Sequence, residues 1–563
     1  MSARRTLVQI CLLGAALLAM PAVVQAQFTL TTNKNDSLDI RGYTGSGGAV
    51  TIPATINGLL VTGIGTNAFY TNQSLTSVTI TNNVTSIRYE AFYSCTNLTS
   101  VTMGSNVTSI GDSAFESTAL ASVTIPDSVT NLGNSAFYSC SSLTSVTIGT
   151  NVTSIGDSTF ESTALTNVTI PNSVTNIGNS AFYSCSSLTN LTIGISVISL
   201  ESSAFQSCTS LTGVIFPNSV TSIGDDSFEG CFSLENVIIP NSVISLGSSA
   251  FQSCTSLTSV IIPGSVTNLG EDAFQNCASL TNATFSSGVT SIGDYSFEEC
   301  FSLENVTFPN SVMNIGDYAF DHCTNLTSVI IPGSVTNLGN NAFWGCYNMT
   351  SATISNGVTS IGQDVFANCY NLTSVIIPGS VTSIGFGAFE FCYSLTTVII
   401  PNGITSIGDY AFDGCNDLTG VTIPNSVTNL GLGAFEFCYS LNSVYFQGNA
   451  PGTNNNVILS DNNVTVYITP GATGWGMTFD DVLTMAWNPQ VQTGDGSFGV
   501  QANQFGFNIT GSSNLVIVVE ASTNLTNPNW SPVGTNTLTG GSSYFSDPNW
   551  TNYPARFYRL GSP

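Results

Sequence analysis

Seventeen phenylalanines, from Phe69 to Phe435, recur every 22 or 23 residues, each inside a unit close to Leu-x-x-Val-x-Ile-Pro-x-Ser-Val-x-x-Ile-Gly-x-x-Ala-Phe-x-x-Cys. A period of this length constrains the fold more than any other feature. One such unit is too small to bury its own apolar side, so it must stack on copies of itself and form a solenoid. Function is then expected on an extended surface, not in a single deep site.

The unit from Leu98 to Phe115 shows how the pattern works. Leu98, Val101 and Met103 make the apolar side of a strand whose alternate residues, Ser100 and Thr102, point outward. A glycine or proline such as Gly104 or Pro126 ends the strand, and a second short extended piece runs through Val107 and Ile110. Asp112 stands where its carboxylate would cap a short helical turn. Phe115 is expected in the interior, where burying one ring contributes roughly 1.5 to 3 kcal/mol.

Composition points to an exported protein. Arg4 and Arg5 precede an apolar run from Leu7 to Met20 and the small-residue end Val24-Gln25-Ala26, which predicts a signal peptide over 1–26 cleaved before Gln27. Thr6, Leu7 and Val8 fit a twin-arginine signal poorly, which favours the general secretory route, and Cys11 lacks a lipobox. No later stretch holds the roughly 18 apolar residues of a membrane helix. A secreted or cell-surface location follows. The chain after the signal carries five basic residues against 33 acidic ones, a balance of −28, and none of the basic ones lies between Arg88 and Arg556. Binding to nucleic acid or to an anionic membrane is disfavoured, because both depend on lysine and arginine.

Along the chain, 27–65 reads as an N-terminal cap in which Val50-Thr51-Ile52-Pro53 imitates the repeat strand. The regular array of about 17 units occupies 66–447. A linker and C-terminal cap follow over 448–489, with a strand from Val464 to Ile468 closing the stack. The period then disappears, and alternating runs at Gln504 to Ile509, Leu515 to Ala521 and Arg556 to Leu560 predict a small β-sandwich-like domain over 490–563. Trp530 and Trp550 are read as its core or turn aromatics, with surface attachment or sorting as the alternative role.

Units such as Leu165 to Cys185 resemble the leucine-rich repeats of BspA-like bacterial surface proteins, in spacing, proline, glycine, phenylalanine and cysteine alike. The resemblance covers about two thirds of the chain. It implies a mainly β repeat solenoid, a right-handed leucine-rich array with a parallel sheet on one face, and carries the expectation of export and of adhesion to host or matrix proteins. The tail, with Phe545-Ser546-Asp547-Pro548 and Arg556-Phe557-Tyr558-Arg559-Leu560, resembles a C-terminal module of exported proteins from environmental bacteria.

Fourteen cysteines, Cys95 to Cys438, each sit three residues after a repeat phenylalanine. Adjacent coils would bring their α-carbons about 4.8 Å apart, within the roughly 4.4 to 6.8 Å that a disulfide tolerates. Side chains stacked in register project in parallel, however, which favours buried, inert thiols over a ladder of bridges even in an oxidising compartment. Where the cysteine is missing, Asn72, Thr118 and Thr163 stand near its place. Zinc is disfavoured because a ladder offers a line of ligands and not a convergence.

Most catalytic devices fail on counting. His322 is the sole histidine and Lys34 the sole lysine, and the glycines recur as turn elements without a phosphate-binding loop. Acids form two columns. One, three residues before the phenylalanine, includes Asp112, Asp157, Asp225, Glu271 and Asp409, and another, just after it, includes Glu116, Glu161, Glu229, Glu298 and Glu436. Periodicity makes these solvation and capping groups; a glycosidase pair or calcium held between neighbours are the alternatives. No catalytic residue, cofactor or metal ligand is assigned.

Two further columns are candidate binding residues. On the outward side of the main strand, where most units place threonine, stand Ile215, Ile238, Ile261, Ile330, Ile376 and Ile399, a stripe interrupted by Thr284, Thr307 and Thr353. A contiguous apolar stripe marks a partner, although β-branched residues also stabilise a sheet through neighbour contacts. Four residues after the phenylalanine stand Phe232, Phe301, Tyr347, Tyr370, Tyr393 and Tyr439, joined by Trp344, Phe391 and Phe437. Such aromatics serve protein recognition or sugar stacking, and edge packing between coils is the competing account. The sequence thus points to a non-enzymatic recognition scaffold for an extracellular or surface protein. The alternatives are a carbohydrate-binding protein, a carboxylate-dependent glycosidase after it, and a structural envelope spacer.

Overall fold

The computed structural model describes residues 27–453, 457–458, 464–526 and 528–562; the expected signal peptide and its cleavage site lie outside them. The chain is nearly all β and divides into two compact units, one up to Leu303 and one from Glu304 onward.

In the first unit most coils contribute two strands. Three-residue strands such as Ser122–Thr124 and Ser145–Thr147 pair parallel and in register. Their alternation places Val123 inside and exposes Ser122 and Thr124. Two-residue strands such as Asn131–Leu132 and Ser154–Ile155 form a second parallel ladder, unbroken from Ser86–Ile87 to Ser245–Leu246. Threonine hydroxyls reinforce the stack, as Thr99 Oγ1 donates to the Thr76 carbonyl of the coil before it at 3.1 Å.

The helical turn expected at Asp112 does not form. The segment around each phenylalanine is a run of turns whose amides point to the next coil: Ser113, Phe115 and Ser117 donate to the carbonyls of Asn134, Ala136 and Tyr138 at 2.8 to 2.9 Å. Ser113 and Ser117 achieve this with φ of 52° and 55°, in the left-handed region. With those amides committed between coils, Asp112 has none of its own turn to cap. Its Oδ1 instead accepts from the Asn134 amide of the following coil at 2.9 Å, and Asp157 does the same for Asn179.

Each phenylalanine ring stacks on the next. Phe92, Phe115 and Phe137 follow one another at 5.0 and 5.4 Å with planes within 6°, all at 0% exposure. The column is closed at its start by the cap, where the hairpin of Phe28–Thr32 and Leu38–Tyr43 lays Tyr43 and Phe28 against Phe69 at 5.3 and 6.5 Å. Gly48–Thr51 pairs parallel with Leu75–Thr79, as its repeat-like sequence predicts. Arg88 anchors the cap by reaching the buried Asp39 at 2.6 Å.

The second unit has a phenylalanine column of its own, from Phe320 and Phe343 to Phe412 and Phe435, with neighbouring centroids 5.2 to 5.6 Å apart. The main strands Thr397–Ile399, Gly420–Ile423, Ser443–Phe446 and Thr465–Ile468 pair parallel. The strand expected to close the stack at Val464 to Ile468 is followed by one more, Val482–Ala486, also parallel. From Gln490 the pairing becomes antiparallel. One sheet places Gln490–Gln492, Gly499–Gln501 and Ser542–Asp547 around Gln504–Thr510, and the other places Ser531–Thr537 and Phe557–Gly561 on either side of Val516–Ser522. Their shared core of Phe507, Ile509, Ile517, Val519 and Phe545 also takes in Tyr445 and Tyr467 from the main sheet. The tail residues singled out in the sequence tie the two antiparallel sheets together: buried Asp547 accepts from the Tyr558 hydroxyl at 2.8 Å and pairs with Arg556 at 3.1 Å.

Candidate binding surface

The isoleucine column lies where strand alternation predicts. In the first unit Ile215 is 78% exposed between buried Val214 and Phe216, it sits in register with Ile238 at 72%, and Ile261 pairs with Thr284. In the second unit Ile330, Thr353 and Ile376 are in register, and so are Ile399, Thr422, Tyr445 and Tyr467. Ile330, Ile376 and Ile399 are 61 to 81% exposed, whereas Tyr445 and Tyr467 are buried beneath the antiparallel sheets. The outward column therefore turns aromatic where the chain itself covers it.

The second predicted column divides. Phe232 and Phe301 in the first unit and Tyr439 in the second are exposed. Tyr347, Tyr370 and Tyr393 stack face to face at 4.8 and 5.0 Å, so much of their ring surface is spent on one another, while Tyr393 at the end of the stack stays 38% exposed. Trp344 is half-buried with its centroid 4.7 Å from that of His322. These aromatics occupy the turn before the main strand, and the isoleucines occupy the strand; the structure makes two surfaces of them, not one site.

The groups with catalytic potential are held structurally. His322 is wedged against Trp344 and Tyr347, with Nδ1 3.0 Å from Asp321 Oδ1. In the column after the phenylalanine, two carboxylates accept from amides of the coil before: Gln206 donates to Glu229, and Gln275 to Glu298. Burial followed by the neighbouring Glu271, Glu298 and Asp294 pushes Asp272 up to about 6. Burial, then Glu390 and Glu436, pushes Asp413 up to about 7. Among the described residues no three acidic, histidine or cysteine side chains converge as a metal would require.

All fourteen cysteines of the repeats are buried free thiols. The Sγ atoms point at the preceding coil, as Cys254 Sγ donates to the Phe228 carbonyl at 3.3 Å and Cys415 Sγ to Phe389 at 3.4 Å. Burial pushes Cys231 up to about 12, far from the thiolate that reactivity needs. Thr118 and Thr163 take over the vacant places, donating to Phe115 and Phe160 and lying 3.2 Å from Cys140 and Cys185.

A repeat-family profile described as "BspA type Leucine rich repeat region (6 copies)" matches residues 62–189, 175–300, 267–392 and 359–473. The chain belongs to this BspA-type leucine-rich repeat family. The matched repeats end before the antiparallel sheets begin. Among solved structures, a leucine-rich repeat protein from Bacteroides ovatus ATCC 8483 is 25% identical, with a TM-score of 0.46 over 74% of this chain and 93% of its own. A leucine rich cell surface protein from Faecalibacterium prausnitzii A2-165 is 28% identical, with a TM-score of 0.33 over 75% and 93%. The pneumococcal vaccine antigen PcpA is 16% identical, with a TM-score of 0.30 over 79% and 92%. None of the curated proteins compared matches the chain. Among the described residues no helix is long and apolar enough to cross a membrane.

Proposed function

We propose that this BspA-type repeat protein is a secreted or surface-displayed, non-enzymatic scaffold that binds a protein partner along the outward face of its main sheet. The observation that carries this reading is the isoleucine column, whose six members are 61 to 81% exposed on strands locked by inter-coil hydrogen bonds. Ile215, Ile238 and Ile261 stand on successive strands about 4.8 Å apart, as do Ile376 and Ile399, and each set makes an apolar strip bounded by threonines, which costs solubility unless a partner covers it. Tyr445 and Tyr467, on the same column, already receive an apolar β-structure in this way. Phe232, Phe301 and Tyr439 add a second exposed apolar surface. Export rests on the signal-like first 26 residues.

The test replaces each isoleucine by threonine, the residue most coils carry there, so the fold should be retained. Two triple variants, at Ile215, Ile238 and Ile261 and at Ile330, Ile376 and Ile399, are compared with the parent chain on an array of extracellular-matrix and cell-surface proteins. Loss of a specific interaction in either variant supports the reading. Equal binding by all three proteins would remove the stripe as the binding surface. Cell fractionation tests the location separately.

A further inference from the structure

A cleft of about 780 Å³ opens in the second unit beside the point where the antiparallel sheets meet the main sheet. One wall is the outward face of the main strands, with Thr397, Ile399, Thr419 and Thr422; the other carries Val518, Glu520, Pro532 and Arg559. Tyr445 and Tyr467 line it where the two faces join, and Ser562 bridges it, its hydroxyl 3.0 Å from that of Thr422.

We propose that this cleft is a binding site for a short, uncharged oligosaccharide. Its volume falls within the roughly 300 to 1,000 Å³ of small-ligand sites and is too small for a folded partner. The central strand of each wall is paired on both sides, since Val516–Ser522 lies between Ser531–Thr537 and Phe557–Gly561 and Gly420–Ile423 lies between Thr397–Ile399 and Ser443–Phe446, whereas Phe557–Gly561, which also lines the cleft, ends its sheet. Recognition by the central strands falls to side chains, and strand addition by a peptide at the Phe557–Gly561 edge is the competing occupancy that the peptide arm of the test decides.

Those side chains suit sugars. Thr397, Thr419, Thr422, Ser562 and the amides of Asn402 and Gln447 supply donors and acceptors along the cleft. Ile399, Val518 and Leu560 offer apolar patches for the C–H faces of sugar rings. Arg559 and Glu520 pair at 2.6 Å, and Trp530 lies under the guanidinium at 4.7 Å. That pairing holds two planar polar groups side by side, a geometry that matches neighbouring hydroxyls. It also cancels their charge, and the chain as a whole carries −26, so a uronate or other acidic glycan is disfavoured.

The test is calorimetric titration of the full chain with short neutral gluco-, xylo-, manno- and N-acetylglucosamine oligosaccharides, beside an oligouronate and an extended Thr/Ile-rich peptide. At least one neutral sugar should bind saturably. Thr397→Trp, which obstructs one wall, and Arg559→Gln, which removes a charge-assisted donor from the other, should each weaken it by about tenfold or more. Circular dichroism and denaturation of both variants check that the fold is intact, and Met313→Thr, exposed and outside the cleft, should leave sugar binding unchanged. The proposal is overturned if no neutral sugar saturates, if binding ignores both wall substitutions, or if the uronate or the peptide is the preferred ligand of the cleft.

Discussion

Phe251→Ala tests the physical basis of the array. Phe251 is fully buried and its ring stands 5.3 Å from both Phe228 and Phe274, with planes within 5°. Truncation removes the transfer free energy of the ring and leaves a cavity, together about 3 to 5 kcal/mol for a core phenylalanine. Two stacked contacts are lost as well, each contributing roughly 0.5 to 1.5 kcal/mol, which places the expectation at the upper end, about 5 kcal/mol. Coils contact only their neighbours, so the damage should be local. Urea denaturation of the full chain gives the size of the effect, and hydrogen exchange with mass spectrometry gives its place. Protection should fall in the coils of Phe228, Phe251 and Phe274 and stay unchanged around Phe115. A cost under about 1 kcal/mol, or a loss spread evenly over all coils, would refute the argument that a stacked column carries the interior.

Three further outcomes are expected. Because the repeat thiols are buried and the pKa of Cys231 is pushed up to about 12, iodoacetamide at pH 8 should leave the native repeats unmodified and alkylate all fourteen cysteines only after unfolding, as counted by mass. Asp413 binds its proton more tightly in the folded state, up to about 7 against about 3.9 when unfolded, so its contribution is present at low pH and is lost as pH rises from about 4 through 7. Asp413→Asn should therefore flatten the fall in stability between pH 5 and 8 and raise stability at pH 8 by at least about 1 kcal/mol in denaturation curves. Arg88→Met leaves the carboxylate of buried Asp39 without its ion pair, and should cost about 3 kcal/mol and expose the cap first in limited proteolysis; Arg88→Met with Asp39→Asn should recover part of that loss.

The interior was legible in the sequence because it is fixed by local period. Phe115, Cys140 and Val123 recur at set offsets, and each is buried as those offsets require. The turn around the phenylalanine was misread at Asp112 because a lone aspartate before Ser-Ala-Phe has the look of a helix cap. The informative signal lay in other copies. Gly387 and Gly433 occupy the position two before the phenylalanine, and Gly230, Gly345 and Gly414 the position two after it, all with positive φ. Asn341 and Asn276 stand at the same two places, and residues that favour left-handed backbone at two fixed offsets argue against a helix. The docking of the antiparallel sheets on Tyr445 and Tyr467 had no local signature, since it joins buried residues about forty or more positions apart. Its trace was the replacement of threonine and isoleucine by tyrosine on one column. The stacking of Tyr347, Tyr370 and Tyr393 was open to two accounts, because a period of one ring per coil fits both a free surface and a self-packed ladder.

The copies within this chain also separate what the stack needs from what it leaves open. Positions that face inward admit little besides phenylalanine, alanine, cysteine, valine, leucine and isoleucine, because a change of even one methylene is felt in a close-packed interior. The outward place on the main strand carries threonine at Thr102, isoleucine at Ile261 and Ile399, and tyrosine at Tyr445 and Tyr467, while the backbone register beneath it stays constant. Such a position can change its chemistry at a stability cost usually within about 0.5 kcal/mol, so its residues are set by what lies against them and not by the fold. Where the contact is known, under the antiparallel sheets, the side chains are large and aromatic. Partner recognition is therefore best sought along the isoleucines of the same column, and sugar recognition in the cleft where the column passes from Ile399 through Thr422 to Tyr445.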